Sequence, residues 1–578
     1  MAEIERSQLK QTPWWPMPWK TSTLIYSLVL GIVGFIVLFP VILLVLNSFQ
    51  VGHFGQETYF GFENWRIAFE DPDLRNAISN TITLAFFRQI IAILLGIFLA
   101  WLIARADLPG RNWLEFGFWI ATFMPVLTVT MSWILIFDNY NGLANRLVEM
   151  LPFVEKGPFN IYSYWGINWI HLLTAALPVK VMLLAPAFRN MDSSLEEASR
   201  TSGSSTFSTL VRITGPIMIP SIAVAFILGL IRSLEAFEVE LILGVPQKID
   251  VYSTMIYRLV FQEPPLYGSA TALSMIALLL IIPMILFQQW ILHRRSYTTV
   301  NGKYSTRLLR LGRWKWPVFI FISFLLFIMT VLPMVIILIS SFTKVFGYFD
   351  KSMWTLENWR SAFSSTGFVD SLLNTLYLSC GAALLSLPLL FILAYISVRT
   401  KYKARGVLDF ITWLPSSLPG IIMGLGYLWL ILKTPIFQPL YGSIAILMLV
   451  VFLGSLTLGV QLLKTSMIQL GNELEEASFI CGASLFYTMR RIVLPLIAPA
   501  AAVVAVVIFA GAARNTAHVA LLSSPTNKPL SLLQLDMMAD GSLESATVVG
   551  LVVMFLTVGA AVIARIIGLN VGPKSDDG

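Results

Sequence analysis

Residues 194–220 and 473–499 are two versions of one segment. The first reads SLEEASRTSGSSTFSTLVRITGPIMIP and the second ELEEASFICGASLFYTMRRIVLPLIAP. Glu197 and Glu476, Gly203 and Gly482, Phe207 and Phe486, Pro216 and Pro495, and Pro220 and Pro499 are each 279 positions apart. A polar, helix-prone segment repeated in register implies two structural copies. Whatever it does is done twice, so the fold must present it at two equivalent places.

The rest of the chain is apolar. Hydrophobic residues make up 57% and charged ones 12%, and the mean hydropathy is +0.76. Soluble chains carry about a quarter charged residues, and a soluble fold of 578 residues could not be covered at this charge density. The expectation is an all-α polytopic membrane protein in contact with lipid. Twelve apolar runs of roughly 20 residues or more fall at about 23–48, 77–104, 115–137, 167–188, 217–236 and 268–292, then 316–341, 372–398, 409–432, 443–463, 494–513 and 546–568. The first run is too long for a cleavable signal peptide and lacks a small-residue exit site, so it reads as a retained span.

The net charge of +7 does not indicate nucleic acid, because the basic residues flank apolar runs and carry topology information. The 293–315 connector holds Arg294, Arg295, Lys303, Arg307, Arg310, Arg313 and Lys315 with no acid, and 399–408 holds Arg399, Lys401, Lys403 and Arg405. The tail holds Arg6, Lys10 and Lys20, whereas 49–76 carries Glu57, Glu63, Glu70, Asp71 and Asp73. The positive-inside rule places the basic segments and both termini in the cytoplasm. Each half then begins and ends on one side, giving two parallel six-helix repeats. The expected division is a first half at 1–292, a connector at 293–315 and a second half at 316–578. A second repeat agrees: FENWRIAF (62–69) and LENWRSAF (356–363), Asn80-Thr81 and Asn374-Thr375, Arg105 and Arg399, and Pro125 and Pro419 are 294 apart. The 15-residue difference between the offsets falls at about 138–186, where the first half has the longer outer loop.

Each polar copy lies between the fourth and fifth spans of its half. Gly203 and Gly482 follow the Ala by five residues, at a joint where positive φ turns one short helix into the next. The pattern Glu-Ala, Gly, then Ile-x-Leu-Pro resembles the EAA motif of permease subunits of bacterial binding-protein-dependent ABC importers. Glu476, Ala477, Gly482, Ile492, Leu494 and Pro495 match it fully; Glu197, Ala198, Gly203, Ile213 and Pro216 match with Gly215 in place of Leu. The resemblance implies the type I importer architecture in a bacterial inner membrane, with EAA loops at 194–216 and 473–495. It implies coupling helices at about 197–210 and 476–489, each seated on one of two copies of a separate ABC ATPase, and a soluble substrate-binding protein on the other face. ATP and Mg would belong to the ATPase, with no cofactor in this chain. Glu197 and Glu476 would meet basic groups or helix ends there, and Phe207 and Phe486 would fill apolar pockets. No GxxxxGK[ST] loop is present, and GLNVGPKS at 568–575 has the wrong spacing.

Ionisable groups inside spans are candidate pathway residues. These are Arg88, Lys180, Glu235 and Glu238, with Glu240 close by. Counting by 279 sets Arg514 opposite Glu235; the plainer reading is that each is a solvated helix end, and the other is that the two meet across the halves as a gate. Arg88 and Lys180 map onto Ala382 and Gly459. Arg88 serves either a ligand or a partner within the bundle, and Lys180 is long enough to snorkel. Neither Cys380, Cys481 nor the scattered His53, His171, His293 and His518 form a metal or catalytic pattern, so no metal site and no catalytic residue is assigned. Among permeases with two EAA motifs, residues 62–81 and 521–553 look like the ferric-iron group. Thiamine, phosphonate and polyamine permeases are related alternatives, and an ion-gradient-driven secondary transporter is the alternative from another class. A hard cation such as Fe³⁺ prefers oxygen ligands, which Glu235, Glu238 and Glu240 supply, whereas Arg88 and Lys180 would repel a bare cation.

Overall fold

The structure is a computed structural model that describes residues 19–52, 57–191, 194–294, 308–348 and 353–567. The tail residues Arg6 and Lys10, His53, connector residues 295–307 and GLNVGPKS lie outside the described residues. Among the described residues the one sheet is a two-residue antiparallel pair, Gln50–Val51 with Tyr59–Phe60. Ten helices among the described residues are long and apolar enough to cross a membrane: Thr23–Ser48, Pro72–Arg105, Tyr164–Arg189, Leu210–Leu234 and Tyr267–Met284, then Gly312–Ser340, Thr366–Arg399, Ile444–Gln469, Leu485–Ala513 and Leu543–Ile566.

The runs expected at 115–137 and 409–432 are not straight spans. Arg111–Phe123 meets Val126–Phe137 at 97°, and Arg405–Ser416 meets Gly420–Lys433 at 107°. Counting each bent pair as one span gives twelve. The cause is the matched proline. A residue before proline is pushed out of the helical region: Met124 has ψ 132° and Leu418 ψ 119°, with Pro125 and Pro419 extended behind them at ψ 125° and 139°. Hydropathy runs on through both elbows, which is why composition alone reads them as continuous.

The second repeat is a set of clips. Asn64 donates to the carbonyls of Ser48 and Gln50, at 3.3 and 2.9 Å, closing the end of the first span. Asn358 does the same to Ser341 and Thr343, at 3.2 and 2.8 Å. Trp65 stacks on Phe49 and Trp359 on Phe342. Asn80 and Asn374 donate to the carbonyls of Asp250 and Thr526, and the Thr81 and Thr375 hydroxyls accept from Tyr252 and Leu530 N–H. Each half thus ties its second span to the segment after its fifth.

The second and fourth spans of each half pack by one exchange of large for small. A Cβ on Gly96 would lie 2.5 Å from Lys180 Cβ; a Cβ on Gly459 would lie 2.6 Å from Leu390 Cδ1. Gly96 and Leu390 are equivalent, as are Lys180 and Gly459. The Lys180 stem fills the gap that Gly96 leaves, and its Nζ reaches Gly229, where a Cβ would stand 1.9 Å away. Lys180 is 1% exposed, so it does not snorkel.

Candidate coupling loops and pathway charges

The two polar copies fold alike. Helix Ser194–Thr201 turns at Gly203 (φ +86°) into Thr206–Thr209; helix Glu473–Ile480 turns at Gly482 (φ +80°) into Leu485–Thr488. Nothing lies within 4 Å of a Cβ built on either glycine, so backbone conformation, not space, demands glycine there. Ser199 Oγ meets Thr209 Oγ1 at 2.9 Å, and Ser478 Oγ meets Thr488 Oγ1 at 2.9 Å. Ser205 and Ser484 cap the second short helix, accepting from Ser208 and Tyr487 N–H. Each loop then enters its fifth span through one π turn, Leu210–Thr214 or Met489–Val493, beside Pro216 or Pro495, which lack an N–H for the ladder.

The adjacent glutamates of the second loop face opposite ways. Glu475 is buried, 3.1 Å from Arg399 Nε, and accepts from the Tyr395 hydroxyl at 3.1 Å. Arg399 also donates to the carbonyls of Met467 and Leu470, at 2.9 and 2.7 Å, closing the end of the fourth span. In the first half Arg105 donates to Met191 O at 2.5 Å, but Glu196 accepts from Thr214 instead, at 2.8 Å. Thr214 stands where the second half has Val493. Ala198, Gly203, Glu476, Ala477 and Gly482 are exposed. Phe486 is 74% exposed, and Leu474, Ile480 and Tyr487 of the same loop are exposed as well. The side chains of Glu197 and Phe207 lie outside the described residues. The connector reaches the same end of the bundle: Leu309 N–H donates to Arg105 O, and Asp107 N–H to Leu309 O. The Leu311 N–H and the Lys315 ammonium hold the Asp107 carboxyl below the usual carboxylate range. That contact therefore persists above the ordinary carboxylate pKa and is lost as pH falls through the depressed one.

Arg88 has partners inside the bundle. Its Nη2 lies 2.9 Å from Glu240 Oε1, and His171 Nε2 lies 2.9 and 3.0 Å from the two Glu240 oxygens. Arg88 is 3% and Glu240 1% exposed. The neighbouring Gln89 amide donates to Ser233 Oγ at 2.7 Å. Their equivalents in the second half are Ala382, Val450 and Val519 for the charged trio, and Ala383 and Ala512 for the amide pair. One half has a polar core where the other is apolar.

The pairing of Glu235 with Arg514, the gate reading, is not observed. No ion pair within 4 Å joins them among the described residues. Arg514 donates across the halves to the carbonyls of Thr122 and Met124, the second at 3.1 Å, and faces Glu238. Glu235 sits beside Arg232. The physical reason is local. The elbow at Met124-Pro125 frees carbonyls from the helical ladder, and a guanidinium satisfies them where a carboxylate could not.

The family model "binding-protein-dependent transport system inner membrane component" matches residues 74–297 and again 386–571. The chain belongs to this family. Among its relatives the permease is 27% identical over 537 residues to the ferric transport system permease protein FbpB of Actinobacillus pleuropneumoniae, covering 90% of this chain and 74% of that one. It is 28% identical over 477 residues to a putative ferric transport permease of Haemophilus influenzae, covering 81% and 73%. A spermidine/putrescine permease of Shigella flexneri matches at 24% identity over 46% of this chain and 91% of its own. A bacterial ABC transporter of known structure, involved in alginate import, aligns with 48% of this chain and 97% of its own at a TM-score of 0.41 and 21% identity.

Several residues of the permease escaped the sequence reading. Ser199 and Thr209 match Ser478 and Thr488 at the 279 offset, but the offset does not show that each Ser bonds to its Thr. The trio of Arg88, His171 and Glu240 left no local signal, because its members are separated by 69 to 152 positions.

Proposed function

We propose that this permease carries ferric iron into the cytoplasm, received from a soluble binding protein and driven by two copies of a separate ATPase. The carrying observation is the pair of braced loops at one end of the bundle, exposed at Ala198 and Gly203 in one and at the equivalent Ala477 and Gly482 in the other. Ala198 and Gly203 in one, and Glu476, Ala477, Gly482 and Phe486 in the other, would meet the ATPase clefts. Glu475, Arg399 and the Ser-Thr pairs would keep each loop rigid enough to transmit force as the halves rock. We place these loops, the 293–315 joint and both termini in the cytoplasm, on the charge pattern. Iron is favoured by the names of the relatives matched over most of the chain. Among the described residues no group of three or more His, Cys, Asp or Glu is placed to hold a metal ion, so selection for iron is assigned to the binding protein.

The test is uptake into liposomes holding the permease, its ATPase and the binding protein encoded beside it. ATP-dependent entry of radioactive iron, with none for spermidine, thiamine or a phosphonate, is expected. Entry of one of those solutes instead would replace iron while keeping the importer. Uptake driven by an ion gradient without the ATPase would remove the ABC reading itself.

An exposed aromatic that fills a partner's pocket often contributes about 2 kcal/mol or more. Phe486→Ala is therefore expected to weaken ATPase binding about 30-fold, measured by titrating labelled ATPase onto permease in nanodiscs. Unchanged affinity would strip Phe486 of its anchoring role.

A further inference from the structure

Each half packs its bent pair against the other half. Thr128, just past the first elbow, bonds with Gln534 and Gly550 O, while Tyr427 and Trp429, past the second, bond to Ile36 O and Thr271. The elbows therefore lie where the halves meet, and any rocking motion must strain or release contacts there.

At one elbow that contact is a charged side chain. Arg514 follows the fifth span of the second half and donates to Thr122 O and Met124 O, the carbonyls beside the Pro125 break in the first half. Glu238, from the segment after the first half's fifth span, faces the same guanidinium. Among the described residues no such contact is seen at the other elbow. The equivalent of Arg514 is Glu235, which as a carboxylate cannot donate to carbonyls. There, His518 of the same half covers Gly420, where a Cβ would lie 2.5 Å from His518 Nδ1.

We infer that Arg514 is a one-sided latch between the halves, a positioning residue that holds the Pro125 elbow and keeps the transporter at rest until the binding protein docks. The inference rests on the importer reading above. Hydrogen bonds from a charged donor are stronger than those between neutral groups, so two of them can bias two states by about tenfold.

The test uses the complete transporter in liposomes and measures ATP hydrolysis with and without binding protein, together with uptake. Arg514→Leu is expected to raise hydrolysis without binding protein about tenfold and to lower the solute moved per ATP. Arg514→Lys, whose ammonium can serve one carbonyl, should fall between. A correctly assembled Arg514→Leu transporter with the unaltered ratio overturns the latch. If Arg514→Leu does not assemble, Arg514→Lys decides, and unaltered values there overturn it equally. An unaltered transporter that shows no ATP-driven uptake would instead sink the importer reading.

Discussion

Arg88→Ala is expected to destabilise the permease by about 3–5 kcal/mol, because it strands the Glu240 carboxylate inside the bundle with only His171 beside it. A thermal unfolding curve in detergent should shift sharply downward, and Glu240→Ala should do the same by stranding Arg88. The triple variant Arg88→Ala, His171→Val, Glu240→Val should recover most of the loss. It writes into the first half the residues that the second half carries at the equivalent positions, Ala382, Val450 and Val519. Breaking a buried ion pair is costly, whereas replacing it whole by packed apolar groups is often neutral or stabilising. A triple variant as unstable as the single one would show that the first half cannot adopt the apolar solution. If stability returns but uptake does not, the trio serves transport rather than folding.

That asymmetry marks the limit of what was legible. The twofold repeat follows from register, the helical class from the length of the apolar runs, and the joints at Gly203 and Gly482 from glycine placed at matched positions, none of which needs knowledge of contacts. The elbows did not follow, although Pro125 and Pro419 had been matched, because apolar residues run through both sides of each break. Nor could spacing tell that Glu475 turns inward and Glu476 outward. That depends on Arg399 and Tyr395, which approach from another span. Arg514 was picked out by its offset from Glu235, but the offset pairs equivalent positions, and equivalent positions need not touch. Its partners are backbone carbonyls, which leave no trace in side-chain chemistry.

The largest functional effect is expected at Arg399. Its guanidinium holds Glu475 and two carbonyls at the end of the fourth span, so it fastens the second loop to the bundle without forming part of the exposed face. Arg399→Ala should leave the ATPase bound within about threefold of its normal affinity, since the exposed residues remain. Uptake per ATP should nevertheless fall by about tenfold to a hundredfold, corresponding to about 1.4–2.8 kcal/mol of lost coupling. Glu475→Gln should be milder, because an amide still accepts from Tyr395. Exchanging the pair as Arg399→Glu with Glu475→Arg should not rescue, because a carboxylate cannot cap the Met467 and Leu470 carbonyls. A loss at Arg399 that tracks ATPase affinity would count against this fastening. That result would move the role of Arg399 from transmitting force to shaping the docking face.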